Sequence, residues 1–280
     1  MNCAYQKIKY VRCFVMQSAC CFLLIYKKEC IMKKIATVLF CLTTSFANAG
    51  IIQVGETDFK SGAGLITFSE FAVGTVNPFY TPGDYGGGLT DPDVSFDGFF
   101  TGQSLSATPG IDCPGASATA CVVGDPTGPL SLDPSSLDTF ITTDSANPTS
   151  PVLSGSPRFN GGIAILFSID QFGVGFDGGF FDAVGSTAIT AFARDGSLIG
   201  SVSNSVTGIE FLGLVTDDKT AAIAGVFLDL VGAEPAGFAV DNIRFGVVGD
   251  IDVPGQPVPE PYALAVLAVG IFGLRIFRKK

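Results

Sequence analysis

An antiparallel β-sandwich of jelly-roll type is the fold that the sequence predicts for residues 50–248, and three observations lead there. Glycine is frequent, at 35 of 280 residues, whereas charged residues make up only 15% of the chain. No long segment of this region carries apolar residues at helical period. Short β-rich runs recur instead, separated by turn residues, which is the pattern of an all-β sandwich. The region is also long enough to bury one sizeable core.

The first run, 65–71, is followed by a Pro/Gly/Tyr loop at 77–88, and the next run is 94–100. A Ser/Thr/Pro/Asp-rich excursion then occupies 101–157 with little periodicity, and is expected to be a long loop. Loops of that length in compact domains are functional or flexible. The second half is more regular, with runs at 163–169, 173–181, 187–194, 197–203, 209–216, 221–230 and 238–247. Asp195-Gly196 is a hairpin signal between two of these runs. Asp217-Asp218 marks a turn between two others, and 249–257 reads as a linker.

The two ends are different in kind. From Met32 the chain has Lys33 and Lys34, an apolar core at 35–42, and Ala47-Asn48-Ala49 before Gly50. These are the parts of a secretory signal peptide cleaved after Ala49 by signal peptidase. Residues 1–31 are read as a start codon set too far upstream; the alternative is an extra membrane segment around 14–26. At the other end, Val258-Pro259-Glu260-Pro261 precedes an apolar stretch, 262–274, and a basic cluster of Arg275, Arg278, Lys279 and Lys280. That stretch is short of the ~20 residues of a comfortable membrane helix. It suits a transient span with the basic cluster held at the cytoplasmic face.

This ordered tail resembles the PEP-CTERM sorting signal of exosortase substrates. The resemblance implies export, a short C-terminal transmembrane helix, and processing by an exosortase-type membrane enzyme. It also implies a place on the surface or in the extracellular matrix of a Gram-negative bacterium, with exopolysaccharide and biofilm as the setting. An ordinary tail anchor is the competing reading of the same residues. The wording FSIDQFGVGFDGGFFDAVGSTAITAFARDGSLIGSV, with GIEFLGLVTDD and GFAVDNIRFG after it, is similar to the lectin-like or carbohydrate-binding jelly rolls that often precede such tails.

Between the two signals the charge balance is strongly acidic. Residues 50–257 hold five basic groups against 24 Asp and Glu, a net charge of −19. Nucleic acid, which is bound through Lys and Arg, is excluded as the obvious partner. Of eight cysteines only Cys113 and Cys121 follow the cleavage site, and in an exported chain they read as a local disulfide. The chain has no His. A Ser-His-Asp or Cys-His catalytic arrangement is therefore impossible, and a non-catalytic protein is expected. Acid pairs drawn from Asp177, Asp182 and Glu210 keep a secreted hydrolase of matrix polysaccharide as one alternative, and an inert structural matrix protein is the other.

Two carboxylates stand out by parity. In 65–71, Ile66, Phe68 and Glu70 share one face, and in 238–247 Asp241 shares one with Ile243 and Phe245. A carboxylate on an apolar face must be paired or hydrogen-bonded. First and last strands lie side by side in jelly rolls of the resembling kind, often with a structural calcium between them. Glu70 and Asp241, with Asp58 or Asn242, are thus the candidate ligands. The plainer alternative is that each caps a strand end or accepts backbone N–H groups. For saccharide, the chain has no Trp. Tyr80 and Tyr85 are the expected aromatic platform, with Phe79, Phe99 and Phe100 as further candidates.

Overall fold

The computed structural model describes residues 50–253. The signal segment with Ala47 and Ala49 lies outside the described residues. So do the tail with Val258, Pro259, Glu260 and Pro261, the basic cluster Arg275, Arg278, Lys279 and Lys280, and most of the linker.

The chain opens with β1 (Ile51–Val54), a single 3-10 turn (Glu56–Asp58), β2 (Gly64–Ile66), β3 (Phe79–Tyr80) and β4 (Val94–Asp97). Next come β5 (Ser104–Leu105), the one-turn helix α1 (Pro109–Asp112), β6 (Val122–Val123), β7 (Thr139–Asp144) and β8 (Asn147–Gly155). The second half supplies β9 (Ile163–Gln171), β10 (Gly173–Phe181), β11 (Thr187–Phe192) and β12 (Leu198–Ser203). It ends with β13 (Gly208–Thr216), β14 (Ile223–Leu230) and β15 (Ala239–Gly246).

Two antiparallel sheets form the body. A seven-stranded sheet runs β1-β13-β10-β15-β8-β7, with β2 also on β15, and a six-stranded sheet runs β12-β11-β14-β9-β4-β3. From β9 onward the chain crosses repeatedly between them, because the strands of each sheet bury one face and must share a core with the other. Val174, Phe176, Leu212, Leu214, Val240, Ile243 and Phe245 of the first sheet pack with Phe96, Ile163, Ile165, Phe167, Ile189, Val226 and Leu228 of the second. All of these are essentially inaccessible to solvent. A smaller apolar cluster of Val54, Phe59, Phe172, Val215 and Ile251 lies apart from this core.

The segment 101–157 corrects the expectation of a long loop. β7 and β8 pair along most of their length, and Val240↔Leu153 joins them to β15. Pro148 and Pro151 fall inside β8, where their missing N–H groups break the sequence pattern of a strand. The exposed edge of β7 is covered in turn. Gly74 N–H donates to Ile141 O (2.7 Å), Ile141 N–H to Thr75 O (2.9 Å), and Asn77 N–H to Thr139 O (2.9 Å), so its unpaired groups are satisfied within the chain. Earlier in the excursion, β5 and β6 form a separate two-stranded ribbon, and a disulfide joins Cys113 to Cys121 beside it.

Candidate functional site

The polar end of the seven-stranded sheet is built where β10, β15 and the β7–β8 turn meet. Asp177 of β10 stands opposite Asp241 of β15 in the strand register. The register slips between Gly175 and Asp177, so that Ile243 and Asn242 together face Phe176, and Asn242 takes φ 48°. This is a β-bulge at a residue type that tolerates the left-handed region. It changes the parity of β15: Val240, Ile243 and Phe245 all lie in the core. Asp241 is therefore not on the apolar face that unbroken alternation assigns to it.

Asp241 is buried nonetheless, and it is satisfied. Asn147 Nδ2 donates to its Oδ2 (2.7 Å), and the Asn242 N–H donates to its Oδ1 (2.7 Å). Asn242 Nδ2 donates to Asp177 Oδ2 (2.8 Å). Burial raises the pKa of Asp177, and the Asn242 bond partly opposes that rise.

Glu70 has other neighbours. The strand that was expected to run through it ends at Ile66, and Phe68 adopts φ 57°. Glu70 turns back instead, and its Oε1 accepts from Thr67 N–H (3.1 Å) and Thr67 Oγ1 (2.8 Å). Its buried Oε2 has no hydrogen-bond partner. Asp58 caps its own turn by accepting from Gly55 N–H (2.7 Å). Glu70 and Asp241 are thus engaged by different neighbours, and among the described residues no group of three His, Cys, Asp or Glu side chains is arranged to hold a metal ion.

The tyrosine platform needs correction. Tyr80 has 0% of its surface exposed, because it pairs with Val94 at the end of the six-stranded sheet and its ring points into the core against Phe68, Phe71 and Phe96. Burial, and then the charges of Glu70 and Asp84, push its phenol pKa upward. Tyr85 is half-buried, lies edge-on to Phe245, and donates to Pro92 O (2.6 Å). Phe99 and Phe100 are core residues, whereas Phe79 is exposed.

A different aromatic stands beside the acidic end. The β10–β13 register shifts between Gly178 and Phe181, turning Phe181 into the core and Phe180 outward, 55% exposed. Phe180 lines a cleft of about 240 Å³ with Asp144, Ser145, Phe159, Asp182 and Phe238. A smaller cavity, lined by Asp144, Asn147, Asp177 and Asp241, shares Asp144 and Gly179 with it.

The cleft wall is held from behind by Glu234, a fully buried acid. The Asp182 N–H is shared between both Glu234 oxygens (2.9 and 2.9 Å), and Ser186 Oγ donates to Oε2 (2.6 Å). Burial raises the Glu234 pKa against these bonds. The far wall closes where Phe238 N–H donates to Phe159 O (2.8 Å). That approach requires Gly237, at φ 78°, since a Cβ there would strike the Phe159 carbonyl.

Of the three acids considered for hydrolysis, Asp182 lines the cleft and Asp177 the adjoining cavity. Glu210 instead holds the β12–β13 turn by accepting from Ser205 N–H, Ser205 Oγ and Val206 N–H. Phe180 and Asp144 escaped the sequence reading. The first was hidden by a register shift, and the second lay inside an apparent loop. No family model, curated protein or solved structure matches the chain.

Proposed function

We propose that this is an exported, non-catalytic surface or matrix protein, a lectin-like jelly roll that binds saccharide in the cleft beside Phe180. The repeated crossing of strands between the two sheets supports the jelly-roll assignment. The signal-like segment before Gly50 and the tail from Val258 support export and exosortase-type sorting to an exopolysaccharide matrix.

The observation that carries the binding reading is the exposed Phe180 ring set beside Asp144 and Asp182 in one concave site. Sugar rings present an apolar face of C–H groups and a rim of hydroxyls. An aromatic face with a few convergent polar groups is the complementary surface. Carboxylates accept hydrogen bonds from hydroxyls without bringing a competing donor.

Retention of the full chain on polysaccharide from its host tests the proposal. Phe180→Ala should abolish most of the retention while leaving the melting temperature unchanged, because the ring is exposed. Unchanged retention would overturn the cleft as the site. Release of reducing sugar would replace the binding reading with the hydrolase, for which Asp177 and Asp182 would be the acids to substitute.

A further inference from the structure

We propose that the saccharide bound in this cleft carries free amino groups, so that the protein selects amino-sugar glycans over neutral or uronic-acid glycans. The inference rests on the saccharide reading above and adds the class of sugar.

The cleft is chemically one-sided. Among the described residues its charged and hydroxyl side chains are Asp144, Ser145 and Asp182, and no Lys, Arg, Asn or Gln lines it. Each aspartate spends one oxygen on the backbone: Ala146 N–H, two residues on, donates to Asp144 Oδ1 (3.0 Å), and Ala236 N–H of the 234–238 loop donates to Asp182 Oδ2 (3.2 Å). Asp144 Oδ2 and Asp182 Oδ1 accept nothing from the described residues. They can only accept, so the ligand must supply donors. An ammonium group supplies three donors and a positive charge, and charge-assisted hydrogen bonds are roughly twice as strong as neutral ones.

The surroundings act in the same direction. Asp177 and Asp241 line the adjoining cavity and add negative charge beside the cleft. Among the described residues, beyond Arg244, whose charge acts on Asp177 in the adjoining cavity, Arg158 is the basic side chain next to the cleft wall. Its guanidinium is 4.8 Å from the centroid of the Phe159 ring, and it donates to Thr143 O, so it is held on the wall. A uronate would bring a third carboxylate to the two that already face the cleft, against a single nearby positive charge, Arg158, that lies outside the lining.

The test is a titration of the full chain with four tetrasaccharides of defined chemistry: glucosamine, N-acetylglucosamine, glucose and galacturonate. It is run at slightly acid pH and about 0.15 M salt, where long-range attraction is largely screened. Spermidine serves as the amine without a sugar.

The glucosamine tetramer should bind at least about tenfold more tightly than the glucose tetramer, in keeping with one charge-assisted contact. Asp182→Asn and Asp144→Asn should each remove most of that preference. Asp218→Asn, at the opposite end of β13, should leave it intact and so control for the general acidity of the chain. Phe180→Ala should weaken all bound tetramers alike and keep the ratio, which guards against an aspartate variant that merely folds poorly.

Equal affinity for the amino and neutral tetramers, or a preference for galacturonate, would overturn the inference and leave the saccharide reading standing. Spermidine binding as tight as the glucosamine tetramer would overturn it too, by making the sugar irrelevant. Binding of none of the four would overturn the saccharide reading itself.

Discussion

Asp177 and Asp241 lie opposite each other on neighbouring strands, and the amide of Asn242 links them by donating to Asp177 Oδ2 at 2.8 Å and to Asp241 Oδ2 at 3.5 Å. Two like charges this close repel, so the site depends on amide donors from Asn242 and Asn147 to hold both carboxylates. The bulge at Asn242 performs two tasks at once. It turns Asp241 away from the core, and it supplies the donor that compensates for the crowding.

Asn242→Val should therefore be costly. A β-branched residue at φ 48° is strained by about 1–2 kcal/mol, and loss of the amide deprives Asp177 Oδ2 of the Asn242 donor. Asn242→Gly relieves the first effect only. Denaturant midpoints for both variants should rank wild type, then glycine, then valine; valine equal to glycine would refute the role given to the bulge.

Gly237→Ala should cripple the cleft. A methyl group there meets the Phe159 carbonyl, so the 234–238 loop must move, and its bond from Phe238 N–H to Phe159 O must lengthen. The expected result is saccharide retention lost together with about 1–3 kcal/mol of stability. Retention at the wild-type level would show that the loop does not shape the site.

Stability should fall as pH rises from about 4 toward 7. Asp229 has one enclosed oxygen without a partner, and burial pushes its pKa up to about 7 despite hydrogen bonds from the backbone of Leu230 and Val122. Burial also raises Asp97, Asp177 and Glu234. A carboxyl with a raised folded pKa keeps its proton preferentially in the folded state. Its stabilisation is full below the ordinary carboxylate range and is lost as pH climbs from about 4 toward 7. Thermal melts should show a higher midpoint at pH 5 than at pH 8, and Asp229→Asn should flatten the difference. An unaltered slope in that variant would exclude Asp229 as a major source.

Chelation should leave the melt unchanged. Thr67 engages Glu70 Oε1, and Asn147 and Asn242 engage Asp241, so the two carboxylates are held by different neighbours and share no site for a cation, although Glu70 Oε2 is left without a partner. A midpoint that rises with added calcium and falls with chelator would instead favour the cation suggested by strand parity.

Strand identity was legible where hydrophobic runs were long. The runs at 163–169, 173–181 and 209–216 lie within or along β9, β10 and β13, because apolar residues with turn residues at both ends carry a local signal. β7 and β8 were not legible. Their strands are Thr- and Pro-rich, and they are strands by virtue of pairing with each other and, through Leu153, with β15.

By itself the sequence determined the all-β class, the spacing of most strands, the large excess of acid between the termini, and the absence of histidine chemistry. These depend on composition and on neighbours a few residues apart. Only the tertiary structure decided which side of the sheet a functional residue occupies. One slipped residue reverses every face beyond it, and such slips put Asp241 outside the core, Phe180 into solvent and Phe181 out of it. The cleft arose from the same cause, since Asp144, Phe159, Phe180 and Phe238 are far apart in the chain and are joined only by sheet register and the close approach at Gly237.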